Sequence, residues 1–348
     1  MKKTLFIILL VLSVVLAYGS AYALTGVCSG CHTMHNSQNG LNVATGDDGS
    51  TTTGTPNASL TISTCIGCHN GGVSSAPNIF GVTYGTNTTA GGTFNQSVAS
   101  TNSKQHNVQD LVAASMQTDE DVNVTGTPGN GGDSTLTVGL TELNCAGAKG
   151  CHGDHSQSGS AAGIKGFHHA ARTADRSTKG YRFLETSTGT AIEGKGSTNA
   201  GVDGWEINQP SSGTDVHNVY NASAGTSIST LCAQCHGEFH GTGDTGSSSP
   251  FQRHPTDNAI PVAWDSVGAG VTIDYQNNPF GFDGADFTAA ATNTAYAADL
   301  SDNPKVVCVS CHRAHGSPND DLLRFAYSGM VAGGGGTTGC LGCHTNQR

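Results

Sequence analysis

The sequence predicts a mostly irregular chain with short α-helices and little β-structure, organised around bound cofactors rather than around an apolar core. Three observations favour this fold class. Glycine accounts for 49 of the 348 residues, only 6% are aromatic and 12% are charged. Stretches rich in Ser, Thr, Asn and Gly cover residues 45–64, 71–103 and 122–137. Such a chain buries too little apolar surface to offset its conformational entropy. The third observation is a set of regularly spaced cysteine pairs.

Six cysteine pairs, each followed directly by a histidine, use all 12 cysteines of the chain. Five have the spacing Cys-x-x-Cys-His and one is stretched to Cys-x5-Cys-His. In chain order the sites are Cys28, Cys31 and His32; Cys65, Cys68 and His69; Cys145, Cys151 and His152; Cys232, Cys235 and His236; Cys308, Cys311 and His312; Cys340, Cys343 and His344. Cys-x-x-Cys-His is the attachment signature of c-type haem, and a proximal His can ligate the haem iron. The sequence therefore predicts six c-type haems, with the six adjacent histidines as proximal iron ligands.

Structural zinc sites and disulfides also use paired cysteines. Neither chemistry requires a histidine directly after the second cysteine, and histidine makes up only 15 of the 348 residues. Chance does not account for six such placements. The stretched pair, Cys145 and Cys151, is the least regular site, and a local disulfide is its alternative.

The haem sites define the predicted architecture. Successive proximal histidines are 37, 83, 84, 76 and 32 residues apart, and no proline-rich or charged linker divides the chain. We therefore expect residues 24–348 to form a single unit wrapped around a linear array of six haems. Short helical segments are predicted over 229–239, with Ser229 or Thr230 as N-cap, over 107–116 and over 320–327.

The first 23 residues have the pattern of a secretory signal. Lys2 and Lys3 precede an apolar run over 5–16, and the small-x-small sequence at 21–23 predicts cleavage after Ala23. The apolar run is too short for a membrane anchor, and Cys28 lies too far from the cleavage point for a lipoprotein signal. We expect an exported protein without a membrane span, at the outer-membrane surface or outside the cell, with the periplasm as the alternative.

The second axial ligand of each iron decides what the irons can do. Two histidine ligands close both axial positions, an open position permits small-molecule chemistry, and methionine raises the potential. Beyond the signal only Met34, Met116 and Met330 are available, so histidine is expected to dominate. The nine candidate distal histidines are His35, His106, His155, His168, His169, His217, His240, His254 and His315.

Four of these histidines closely follow a proximal histidine. His35, His155 and His315 come three residues after it, and His240 comes four residues after it. On a helical turn such neighbours lie on the same side, so none can reach the opposite face of its own haem. Each would have to ligate a different haem, which would tie neighbouring haems together.

The composition narrows the function classes further. The formal net charge of −11 argues against nucleic-acid binding, which needs basic patches. Closely spaced haems with two histidine ligands predict electron transfer and no catalytic residues. The alternatives are a soluble monomeric electron shuttle, a multihaem oxidoreductase with one open iron, a conduit paired with a separate barrel, and a non-redox storage protein.

The motif skeleton resembles the OmcS-type hexahaem extracellular c-type cytochromes, the outer-membrane-associated nanowire family. The resemblance covers nearly the whole mature chain except its connecting loops. It is carried by Cys28–Ser37 (CSGCHTMHNS), His106-Asn-Val, Cys151–His155, Cys232–His240 with Arg253-His254-Pro255, Cys308–Ser317 (CVSCHRAHGS) with Leu323-Arg-Phe, and the final CxxCH.

The resemblance implies a head-to-tail homopolymer whose haems form one continuous line. It implies six distal ligands, and it implies that His35 reaches the neighbouring subunit and ligates the haem held by Cys308 and Cys311. The implied distal ligands are His35, His106, His155, His240, His254 and His315. Implied partners are identical subunits, periplasmic or outer-membrane cytochrome donors, and extracellular acceptors such as metal oxides or partner cells.

This chain departs from the family pattern in three respects. Its third site is Cys-x5-Cys-His where the family has Cys-x-x-Cys-His, and the chain is shorter than expected for the family. His168, His169 and His217 have no counterpart in the resemblance. They are second-rank distal ligands, any one of which would replace His155 or His106.

Overall fold

The protein is described here from a computed structural model. The structure describes residues 27–46, 51–71, 76, 78–80, 90–94, 104–106, 108, 110, 143–169, 181–196, 218–240, 254–259, 279–284, 304–336 and 339–344. The predicted signal over 1–23 and most of the predicted helix over 107–116 lie outside these residues.

The described helices are all short. The α-helices are α1 (Cys65–Cys68), α2 (Ser160–Gly163), α3 (Ile228–Ala233), α4 (Cys308–Cys311) and α5 (Cys340–Cys343). The 3-10 turns are Cys28–Gly30, Ala58–Leu60, Tyr181–Phe183, Gly237–Phe239, Asp320–Leu322 and Tyr327–Gly329. The longest helix, α3, has 6 residues, so no helix within the described ranges can cross a bilayer.

The predicted helix over 229–239 is corrected in two ways. The α-helix ends at Ala233 and is followed by a separate 3-10 turn over Gly237–Phe239. The N-cap is Ser227, whose Oγ accepts a 2.9 Å hydrogen bond from the Thr230 N–H. Ser229 is buried, and its Oγ accepts a hydrogen bond from the Cys308 N–H instead. A tertiary contact therefore uses the hydroxyl that the sequence suggests as a cap.

The segment 320–327 also differs in detail from the prediction. It contains a 3-10 turn over Asp320–Leu322, and a second turn begins at Tyr327. Arg324 and Phe325 lie between the turns and are buried. The Arg324 Nε donates a 2.6 Å hydrogen bond to the Val309 carbonyl, which anchors this segment to the fifth haem motif.

The strands are two to four residues long. They are β1 (Ser37–Gln38), β2 (Leu41–Asn42), β3 (Asn144–Ala146), β4 (Gly150–His152), β5 (Gly194–Gly196), β6 (Asn218–Asn221), β7 (Asn258–Ala259), β8 (Gly281–Phe282) and β9 (Lys305–Val306). β1 and β2 form an antiparallel hairpin, and β3 and β4 pair in parallel. The other five form one sheet of order β5-β6-β8-β9-β7, in which only β6 and β8 are parallel.

Two small apolar clusters support these elements. The larger lies at the sheet and against α3 and α4, and its buried members are Leu184, Ile192, Tyr220, Ala222, Ile228, Val307 and Val309. The smaller contains Ile66, Phe94 and Val108. The described chain is thus mostly coil with small cores, as the composition predicts.

Candidate haem sites

Each of the five regular cysteine pairs lies on its own tight turn. In α1, α4 and α5 the helix begins at the first cysteine and ends at the second, so both thiols lie on one face. In all five regular motifs the N–H of the following histidine donates to the carbonyl of the first cysteine, at 2.8–3.1 Å. One backbone hydrogen bond therefore places each histidine beside its own cysteine pair.

The stretched pair reaches a similar arrangement by strand pairing. β3 and β4 pair with Asn144 opposite Gly150 and Ala146 opposite His152. This register places Cys145 beside Cys151, because each is the middle residue of its strand. Paired strands lie about 5 Å apart, so five intervening residues still bring the two thiols next to each other. The third site therefore has a different local fold from the other five but also places its two cysteines side by side.

No disulfide links any two of the twelve cysteines, all of which lie within the described residues. The local disulfide considered for Cys145 and Cys151 is therefore not formed. The Cys145 N–H donates a 2.7 Å hydrogen bond to the Asp110 Oδ2, which fixes the backbone position of Cys145. The thiols are available for covalent attachment.

Thiols of consecutive sites lie close enough to influence one another. Burial raises the pKa of Cys68, Cys145, Cys151 and Cys311, in the last two cases to about 12, and a thiol of an adjacent site raises each pKa further. For Cys232 the hydrogen bond with Cys308 raises the pKa most, and burial adds to it. The neighbouring pairs are Cys31 with Cys68, Cys65 with Cys145, Cys151 with Cys235, Cys232 with Cys308, and Cys311 with Cys340. The six sites therefore follow one another in space in the order of the sequence.

Five proximal histidines each face a second histidine. The distances between ring centroids are 5.9 Å for His32 and His169, 6.4 Å for His69 and His168, 6.3 Å for His152 and His315, 6.2 Å for His236 and His106, and 6.3 Å for His344 and His254. Two imidazoles on opposite sides of one metal ion, each with a metal–nitrogen bond of about 2 Å, have centroids roughly 6 Å apart. The spacing of these pairs fits one iron between each pair of rings.

Backbone carbonyls fix the tautomer of several of these rings. The Nδ1 atoms of His32, His152 and His312 donate to carbonyls at 3.1, 3.0 and 2.7 Å. Those of His106 and His254 donate at 2.6 and 2.9 Å. Because a carbonyl only accepts, Nδ1 carries the proton in each ring, and Nε2 keeps the lone pair that binds a metal.

Burial favours the neutral form of four of these imidazole rings. It lowers the pKa of His106, His152 and His312, and that of His315 to about 3, with the nearby His152 lowering the last further. A neutral imidazole has a lone pair for a metal, whereas an imidazolium has none. These rings are therefore ready to act as ligands at neutral pH.

The remaining proximal histidine, His312 of the fifth site, has a different environment. Within the described part of the chain no histidine ring faces it. His35 lies on an exposed turn, with φ at 68°. The next residue, Asn36, is buried and its Oδ1 accepts from the N–H groups of Val43 and Ala44 at 3.3 and 2.7 Å. The turn is held firmly while the His35 ring is presented to solvent.

The remaining distal candidates occupy other environments. His240 Nε2 lies 2.9 Å from the Asp257 Oδ2, and the same carboxylate oxygen accepts from the N-cap hydroxyl of Ser227 at 2.7 Å. His155 is buried, and this burial lowers its pKa. His217 lies outside the described residues. The structure thus brings His106, His168, His169, His254 and His315 to proximal histidines.

Comparisons with known proteins bear on the attachment motifs and the cofactor. Residues 302–348, which contain the fifth and sixth motifs, match the family model of the doubled CXXCH motif. The chain is 26% identical to C-type cytochrome OmcS of Geobacter sulfurreducens, over 86% of this chain and 78% of that protein. The chain resembles the OmcS-type cytochromes. The doubled motif and the similarity to OmcS together support c-type haem as the cofactor.

Two solved OmcS structures are also similar to the chain. The cryo-EM structure of the OmcS nanowires from Geobacter sulfurreducens is 19% identical, with a TM-score of 0.44, and covers 88% of this chain and 85% of its own. The outer membrane cytochrome S filament from the same organism is 18% identical, with a TM-score of 0.41, over 89% and 85% of the two chains.

Proposed function

We propose that this chain is a hexahaem c-type cytochrome that carries electrons along a row of bis-histidine haems and polymerises head to tail into an extracellular filament. The observation that carries the proposal is the set of five histidine pairs with centroids 5.9–6.4 Å apart, each including a histidine from an attachment motif. A purely structural role for these rings would not require a common spacing, whereas ligation of one iron by each pair would require it.

Each iron then has a definite pair of ligands. His32, His69, His152, His236 and His344 are proximal, and their distal partners are His169, His168, His315, His106 and His254 in the same order. In this assignment His168 and His169 complete the set of distal ligands in place of His155 and His240, which the family resemblance implies. The contact between His240 and Asp257 favours a structural role for His240.

The order of the sites supports electron transfer as the activity. Haem, when bound, supplies a one-electron carrier, and two histidine ligands leave no open position on iron for a substrate. The chain's own contribution is to hold consecutive attachment sites next to each other, as the neighbouring thiols indicate. An electron can then move along the row, and no catalytic residue is needed.

The iron at the fifth site completes the argument for a filament. His312 lacks a facing ring within the described part of the chain, while His35 is exposed on a firmly held turn. We assign His35 of one copy as the distal ligand of the iron held at Cys308 and Cys311 of the next. A heterologous contact of this kind does not close on itself and generates an open filament.

The cellular setting follows from the predicted signal over 1–23. The mature chain acts outside the cell or at the outer-membrane surface, receives electrons from periplasmic or outer-membrane cytochromes, and passes them to extracellular acceptors such as metal oxides or partner cells. The absence of a spanning helix from the described residues is compatible with this location.

The proposal is tested on material exported by cells that mature c-type cytochromes. Intact mass should give the chain from residue 24 plus six haems, the reduced protein should show sharp visible bands, and electron microscopy should show filaments. A chain without covalent haem would overturn the whole proposal. Six low-spin haems in a monomer at all concentrations would overturn the filament and identify a soluble shuttle.

The distal assignment predicts the outcome of a single substitution. His168→Ala should open the iron at the second site, so that one of the six irons becomes high-spin while all six haems stay attached. The matched control is His240→Ala, which removes a histidine that contacts Asp257 and belongs to none of the five histidine pairs. Electron paramagnetic resonance of the oxidised proteins checks both. A high-spin iron in the control but not in His168→Ala would reverse the assignment.

A further inference from the structure

Four turns in the described chain contain two successive non-glycine residues with positive φ, and one of them, His35-Asn36, includes asparagine, which adopts this conformation easily. The other three are Ser59 and Leu60 (56° and 54°), Arg182 and Phe183 (54° and 63°), and Asp321 and Leu322 (57° and 56°). This region is sterically unfavourable for residues with a side chain, above all for bulky ones. None of the three pairs contains glycine or asparagine, the residues that adopt it most easily.

All three turns contact a proximal histidine in the same way. The carbonyl of the first residue accepts from the histidine Nδ1, and the carbonyl of the second accepts from the N–H of the residue after the histidine. The first contact measures 3.1 Å from His32 to Ser59, 3.0 Å from His152 to Arg182 and 2.7 Å from His312 to Asp321. The second measures 2.8 Å from Thr33 to Leu60, 2.7 Å from Gly153 to Phe183 and 2.8 Å from Arg313 to Leu322.

A third contact completes the repeated unit. The residue after each turn forms an antiparallel β-bridge with the histidine itself: Thr61 with His32, Leu184 with His152, and Leu323 with His312. In an extended strand successive carbonyls point to opposite sides. The left-handed conformation instead directs two successive carbonyls to one partner, so that ring and backbone of the histidine are held together.

Local sequence does not explain why the conformation recurs. The three turns read Ala-Ser-Leu, Tyr-Arg-Phe and Asp-Asp-Leu, and their first contacts span 27, 30 and 9 residues. What the turns share is the histidine that they contact, at the first, third and fifth attachment sites. Unfavourable backbone that recurs at equivalent functional positions indicates a role at those positions.

We infer that Ser59–Leu60, Arg182–Phe183 and Asp321–Leu322 are positioning turns that fix the ring orientation and tautomer of the proximal histidines at the first, third and fifth sites. The inference rests on the proposed function, because it concerns how these rings meet iron. A carbonyl at Nδ1 holds Nε2 toward the metal and makes the ring a stronger electron donor. The turns would thus favour the oxidised state of three of the six haems.

The test uses Ser59, because its side chain is exposed and a substitution there acts through the backbone. Valine is β-branched and disfavours positive φ, whereas glycine adopts it freely. In the intact haem-loaded protein Ser59→Val should change the low-spin resonance of one haem and shift one sixth of the redox titration to higher potential. Ser59→Gly should leave both unchanged.

The outcomes separate the inference from the proposed function. Wild-type resonances and titration in Ser59→Val, even with lower thermal stability, would overturn the positioning role and leave the six haems in place. If Ser59→Val does not fold, the same comparison with Asp321→Val and Asp321→Gly decides the question, since Asp321 is also exposed. Wild-type protein without haem would instead overturn the proposed function.

Discussion

Replacement of His35 by asparagine is expected to abolish filaments and leave a monomer that still carries six haems. Asparagine tolerates positive φ, so the turn with φ at 68° should persist, but the iron at Cys308 and Cys311 loses its distal ligand. One of the six irons should then become high-spin. Electron microscopy, sizing and electron paramagnetic resonance measure assembly and ligation on the same preparation.

Imidazole added to the His35→Asn protein separates ligation from assembly. Free imidazole should occupy the open iron and restore a fully low-spin spectrum, yet it cannot join two copies, so the protein should stay monomeric. Gln38→Ala, an exposed change in the same hairpin, is the control and should form filaments. Filaments of His35→Asn at normal length would contradict ligation between copies.

The attachment motifs could be read from the sequence because their chemistry is local. Covalent attachment needs two thiols and a histidine side by side. A single turn provides this when the second cysteine comes three residues after the first and the histidine directly follows the second cysteine. The same backbone hydrogen bond, from the histidine N–H to the first cysteine carbonyl, recurs at all five regular motifs. Local geometry therefore fixes these residues almost without reference to the rest of the chain.

The histidine pairs could not be read in the same way, because they depend on tertiary packing. His32 and His169 are far apart in sequence, yet their ring centroids lie 5.9 Å apart and the ring planes are within 20° of parallel. Phe167 is buried and packs edge-on against Phe183, which anchors the segment that carries both His168 and His169. The sequence Gly-Phe-His-His at residues 166–169 indicates two candidate ligands, but the local sequence does not indicate which irons they would bind.

The positioning turns left no usable signal. Ser59-Leu60 and Arg182-Phe183 contain no residue that favours positive φ, so propensity predicts ordinary backbone there. Hydrogen bonds to His32 and His152 impose the conformation from a distance. Similarly, Ser229 looks like a helix cap in sequence, but its hydroxyl is used by the Cys308 N–H. In each case a contact between distant segments overrides the local preference.

Gly150 is expected to be essential for the stretched third site. A Cβ at Gly150 would lie 2.5–2.6 Å from the backbone N, Cα and C atoms of Ala146, and backbone cannot move aside as a flexible side chain can. Gly150→Val should therefore separate β3 from β4 and destabilise this region by about 1–3 kcal/mol or more. Cys145 and Cys151 would no longer lie side by side, so we expect a protein that lacks one haem.

Intact mass and absorbance per chain count the haems in this variant. Gly54→Val is the matched control, because a Cβ at Gly54 meets no atom within 4 Å, and it should retain all six haems. Cys145→Ser distinguishes loss of the site from loss of one thioether, since it keeps the strand pairing and the Cys151-His152 half of the motif. A Gly150→Val protein with six haems at wild-type yield would show that the parallel pairing of β3 and β4 is not what brings the two thiols together.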